Sequence, residues 1–176
     1  EGAEWIKFYT GINRENMRAA ITEAKRRGIR TTGHLCAVTF REAAELGIDD
    51  LAHGAFTASD FLAGKQVDVC PADAFAAMDT AVKATGPVAD SVIRTLLARR
   101  VSVTSTLPVI EALYPGRPVT DERSLSLMAP EVKVAYLADR AFIDTSSTWP
   151  LTVAGLKQQM GWELAFFHAG GLLGNG

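Results

Sequence analysis

What most constrains the fold of this chain is an alternation, over its first 54 residues, of short apolar segments with amphipathic ones. Trp5 to Tyr9 is a brief apolar and aromatic run, Thr10-Gly11 turns the chain, and Met17, Ala20, Ile21 and Ala24 then recur at the spacing of one helical face. Asn13 stands where an N-cap belongs. Lys25-Arg26-Arg27 followed by Gly28 sets cations at the negative end of the helix and a glycine just beyond it. Ile29 to His34 reads as a second strand. Thr39-Phe40-Arg41-Glu42 has the form of a capping box that opens a short helix to Leu46, and Gly47 ends it. Ile48 to His53 is a third strand, entering the loop at Gly54. Strands and helices in this order indicate consecutive βαβ units, hence a parallel sheet with right-handed crossovers.

The pattern loosens from Phe56 to Ala72, which reads as a long loop. It resumes with helices from about Asp73 to Lys83 and Val88 to Arg99, parted by Gly86-Pro87. Val101 to Leu107 is a fourth strand, whose alternation sets Ser102, Thr104 and Thr106 on one face and Val101 and Val103 on the other. Pro108 to Pro130 is a second long excursion. A helical stretch from Glu131 is followed by a helix from about Leu151 to Ala169, closed by Gly170-Gly171, and Leu172-Leu173 begin a fifth strand. With 48% hydrophobic and 22% charged residues over 176 positions, the chain can bury one core. The expected fold class is α/β, a partial (β/α)8 barrel of parallel strands, too short to close by itself.

Composition narrows the partners. Eighteen basic and 20 acidic residues, mixed along the chain, leave no basic footprint for nucleic acid. No apolar run reaches the length that spans a bilayer, so no membrane partner is expected, while compartment and homo-oligomerisation are left open. Cys36 and Cys70 have neither metal-knuckle spacing nor a disulfide-framework pattern and read as two buried thiols.

In a parallel βα arrangement the residues at the C-terminal strand ends face the site. His34 ends the second strand and His53 the third, so two imidazoles on neighbouring strands are placed to share a metal ion. Lys7 lies inside the first strand on the same face as Trp5 and Tyr9. Burying its ammonium there is costly unless it is paired or loses its proton, and a neutral amine can add carbon dioxide to give a carbamate able to bridge two metals. Lys7 could equally snorkel or meet a carboxylate. His168, near the end of the last helix, reads as a surface or capping residue.

Taken together, Trp5-Ile6-Lys7-Phe8-Tyr9, Thr32-Gly33-His34-Leu35, Glu42-Ala43-Ala44 to Gly47 and Leu51-Ala52-His53-Gly54 resemble the amidohydrolase superfamily, in its imidazolonepropionase-like and Xaa-Pro-dipeptidase-like branch. The resemblance covers essentially the whole chain. It is strongest at residues 4–54, 101–107 and 169–176. It implies that residues 1–176 are the C-terminal half of a metallo-dependent hydrolase barrel, about strands 4 to 8. Lys7 would be the carboxylatable lysine, and His34 and His53 metal ligands for one or two divalent ions, zinc being the expected metal. The family's first-strand His-x-His would lie upstream of Glu1 and its Asp, a general base, two residues past Gly176. The resemblance therefore implies hydrolysis of a C–N bond in an amide, dipeptide or cyclic amide by metal-activated water in the parent protein, with no activity in this polypeptide alone. Tyr9 and Thr106, on the same face near strand ends, are candidate substrate contacts, and barrel-layer packing would explain them as well. Two other readings remain: a Schiff-base lyase using Lys7, and a non-catalytic module that binds a partner through unpaired strand edges.

Overall fold

The computed structural model describes residues 2–176. Its strands are β1 (Trp5–Phe8), β2 (Arg30–Gly33), β3 (Asp50–Ala52), β4 (Ser102–Ser105) and β5 (Leu173–Asn175). The first helices are α1 (Arg14–Arg26), α2 (Phe40–Leu46), α3 (Ala74–Ala81) and α4 (Pro87–Arg99). Then come α5 (Leu107–Glu111), α6 (Glu122–Leu127), α7 (Pro130–Thr145) and α8 (Val153–His168).

Local signals explain most of these boundaries. Asn13 caps α1 by accepting the Asn16 N–H at 2.8 Å, and Met17, Ile21 and Ala24 turn its apolar stripe into the core. The capping box of α2 is formed as the sequence indicates, with Thr39 and Glu42 each satisfying the other's backbone N–H. Ala89, Val92, Ile93 and Leu96 are the buried face of α4. On α8 the stripe is Leu156, Gln159, Trp162, Glu163 and Phe166, an apolar face interrupted by two polar side chains.

The expected partial barrel is not what forms. The five strands are only three or four residues long and make two small parallel sheets, β1-β2 and β3-β4-β5. The break has a local cause. Asp49 Oδ2 accepts both the Thr31 N–H at 2.8 Å and the Thr31 hydroxyl at 2.9 Å. A side chain thus takes the donor that a ladder between β2 and β3 would need, and one backbone bond, Asp49 N–H to Thr31 O, crosses the gap. The parallel direction expected from the βαβ alternation does hold, with Lys7 opposite Thr32 and Ala52 opposite Thr104.

Other details also depart from the sequence reading. The fourth strand stops at Ser105, because α5 begins at Leu107 with Pro108 in its first turn, where a missing N–H costs nothing. Short 3-10 turns occupy Gly54–Thr57 and Ser59–Phe61 at the start of the long loop. Cys36 and Cys70 are not free thiols but a disulfide, with Cα atoms 5.1 Å apart. Spacing along the chain could not show this, since the pairing depends on residues 59–72 folding back over the β2–α2 connection. There Lys65 Nζ also donates to Ala37 O at 2.7 Å, and Asp68 Oδ1 accepts the Arg14 N–H at 2.8 Å.

The main core lies between the strands and α1, α2, α4 and α8, around Met17, Phe40, Leu51, Met78, Leu96, Trp162 and Phe166. A smaller cluster of Phe56, Ile110, Tyr114, Leu151 and Leu156 joins α5 to α8. Between them sits a buried polar hub. Asp79 accepts from the Tyr114 hydroxyl at 2.7 Å, from Thr152 N–H at 2.9 Å and from Thr152 Oγ1 at 3.0 Å. Gly155 on α8 lets that carboxylate approach, because a Cβ there would overlap it.

Candidate functional site

The strand ends gather all five residues expected from sequence, Lys7, Tyr9, His34, His53 and Thr106, around one point. His34 follows β2 directly, its N–H held by Phe8 O at 3.1 Å. His53 follows β3 and gives its N–H to Thr104 O at 2.8 Å. Simple alternation would leave His53 on the face opposite Ala52. Its backbone instead takes φ 73° and ψ 12°, a left-handed conformation uncommon outside glycine, and the ring turns to meet His34. The two imidazole centroids are 4.6 Å apart and the rings lie edge to face. Backbone held out of the common regions next to ionisable side chains is a feature of functional sites.

Lys7 Nζ lies 3.4 Å from His53 Nε2, and Thr106 Oγ1 lies 2.8 Å from His53 Nδ1. An ammonium can only donate, so with Lys7 as donor Nε2 must be the unprotonated nitrogen, and Nδ1–H then donates to Thr106. This tautomer presents an Nε2 lone pair to the site. His34 Nε2 is buried and has no hydrogen-bond partner. Both imidazoles are held neutral. Burial, then the Lys7 charge, lowers His34 below its ordinary value. Burial, then His34 and Lys7, pushes His53 down to about 4.

An aromatic rim surrounds the pair. Tyr9 is 63% exposed and stacks 6.0 Å from His34, with Lys7 Nζ 5.6 Å from its own ring centre. Phe75 from α3 meets His34 edge-on at 5.7 Å and is itself stacked on Phe56 at 5.4 Å. Phe75 lies beyond the long loop, and nothing in its local pattern marks it as a neighbour of His34. Below the histidines the same strand faces are polar: Asp50 accepts from Thr32 and Ser102 at 2.7 Å and from Thr104 at 3.0 Å.

Two expectations change. Lys7 lies exposed on β1, so the burial that would drive it to the neutral amine is absent. Thr106 turns its hydroxyl to His53, so its first role is to orient the imidazole. Tyr9 keeps an exposed ring at the rim. His168 is exposed in the last turn of α8, away from this cluster.

As a metal site the residues fit in part. Two neighbouring imidazoles, one with a buried Nε2 that has no partner and one whose Nε2 meets only the Lys7 ammonium, are suitable donors for a borderline ion such as zinc, and Thr106 supplies the outer hydrogen bond that metal-binding histidines generally have. Among the described residues no group of three or more His, Cys, Asp or Glu side chains is gathered for a metal. Any further donors would be water or substrate. Comparisons with protein-family models, with curated proteins and with solved structures give no match for this chain.

Proposed function

We propose that His34 and His53 form the protein part of a divalent-metal site, zinc being the best fit, and that the site serves hydrolysis of a C–N bond in a small amide or dipeptide, as in the amidohydrolase superfamily. The observation that carries this reading is the pair of facing imidazoles. One has a buried Nε2 with no partner, and the other is held in the tautomer that turns an Nε2 lone pair toward Lys7 and the site.

The residues have distinct parts in this reading. His34 and His53 hold the ion. Thr106 fixes the His53 ring, and Phe75 with Tyr9 limits water on the open side of His34. Lys7, exposed within reach of His53, is placed to attract the carbonyl oxygen or carboxylate of a substrate. A bound metal would supply a water of lowered pKa and a Lewis acid for the carbonyl.

Isothermal titration of the metal-free protein with zinc at neutral pH tests the proposal. The expected result is saturable binding that is lost in both His34→Ala and His53→Ala. Binding that persists unchanged in both variants, or no binding by the wild-type protein, would overturn it.

A further inference from the structure

We infer that Glu163 is a positioning residue for the His53–Thr106 pair, its buried carboxyl locking together the two strand ends that carry them. The inference rests on the reading of His53 as a site residue.

Glu163 comes from α8, on the far side of the strands from the histidines, and is only 3% exposed. A carboxyl group so deep in a core is expensive unless its surroundings need it. Its neighbours are the immediate flanks of the site. On one side it lies against Gly54, the residue after His53, in the space a Cβ at that position would fill. On the other it lies beside Ser105, the residue before Thr106, whose hydroxyl offsets part of the cost of burying the carboxyl. Ser105 Oγ in turn accepts the Leu107 N–H at 3.4 Å, so the turn carrying Thr106 is closed around the same hydroxyl.

Gly54 has φ 58° and His53 φ 73°, two left-handed residues in succession. This pair of angles rotates the His53 ring out of the strand's alternation. Any larger residue at position 54 would be strained by its φ and would also displace Glu163. Glu163 and Gly54 therefore act as one fitted unit. The carboxyl supports the backbone of the left-handed turn from behind and lies beside the strand end that supplies the partner of Nδ1. Glu163 Oε1 has no hydrogen-bond partner, which is hard to explain if its only purpose were stability, because an apolar side chain of similar size would fill this core at less cost.

The test reads His53 directly. Imidazole nitrogen resonances are recorded in metal-free protein for wild type, E163Q, E163A and, as a control for lost packing on the same helix, L156A. E163A should lose the Nδ1–H preference, its two nitrogen resonances moving toward each other, and should bind zinc roughly 10–100-fold more weakly, the usual cost of removing an outer-shell support. E163Q, which keeps shape and a hydrogen-bonding oxygen, should retain both properties. Should E163A not fold, S105A removes the hydroxyl beside the carboxyl and should shift His53 in the same direction. The inference is overturned if His53 is unmoved in E163A or S105A, or if L156A moves it as far. Failure of the wild-type protein to bind zinc would defeat the metal reading while leaving the imidazole measurement decisive for Glu163.

Discussion

Reduction of the Cys36–Cys70 bond should weaken the molecule and do so next to the site. The bond closes a loop of 34 residues that contains α2, β3 and His53, and Cys36 is two residues beyond His34. For a loop of that length the chain-entropy relation gives about 3.8 kcal/mol of stabilisation, chiefly by restricting the unfolded chain. A domain of this size has a total stability of roughly 5–15 kcal/mol, so the loss would be a large share of it. With a urea slope of about 2 kcal/mol per molar, the unfolding midpoint should fall by roughly 1–2 M. The assay is urea unfolding followed by circular dichroism, with and without reductant, alongside the Cys36→Ser/Cys70→Ser double variant. The double variant should match the reduced wild type and ignore reductant. Two thiols that react freely in the air-oxidised, folded protein, or a midpoint that reductant leaves in place, would refute the reasoning. A bond of this kind lasts in oxidising compartments, so retention of the disulfide in protein taken from its native source would also place the chain in one.

Three further outcomes follow from the structure. Asp79→Ala removes the acceptor for Tyr114, Thr152 and Gln159 in a buried hub and should cost about 3 kcal/mol or more in chemical unfolding, whereas a change within about 0.5 kcal/mol would mean the hub is solvated. Gly54→Ala forces a Cβ onto Glu163 at φ 58° and should lower stability by about 1–2 kcal/mol while disturbing the His53 resonances, and a silent substitution would deny the fitted turn. The third outcome concerns pH. The His53 pKa is about 4 in the folded protein against an ordinary 6.5, so between those values the unfolded chain binds more protons and stability must rise with pH. Stability should therefore be fully expressed above pH 6.5 and decline as pH falls toward 4, with His53→Ala flattening part of that slope. An unchanged slope in the variant would contradict the assignment.

Much of the secondary structure was legible because it is written locally. Asn13, the Thr39/Glu42 box, Gly47 and Pro87 mark helix ends by hydrogen bonds and φ angles that involve only neighbouring residues. The positions of His34, His53, Thr106 and Tyr9 near strand ends were legible for a similar reason, since short apolar runs locate the strands, but the left-handed turn that aims the His53 ring was not. What failed depends on contacts distant in sequence. One Asp49 carboxylate takes the Thr31 N–H, and the expected continuous sheet becomes two. Cys36 and Cys70 meet only because a loop folds back. Lys7 is exposed because the face of β1 on which it sits is open, a property of the assembled strands rather than of the Trp5–Phe8 pattern. Phe75 and Glu163 reach the site region from helices whose periodicity shows which face is buried but not what it is buried against.

The central claim is that His34 and His53 act together through their Nε2 atoms. Long-range proton–nitrogen correlation spectra of the two imidazoles, recorded as stoichiometric zinc is added, test it most directly. The account predicts that both Nε2 resonances shift together and saturate at the same zinc ratio, while His53 Nδ1 stays protonated on Thr106 and His168 does not move. Zinc that shifts His168 alone, or only one of the pair, would contradict it.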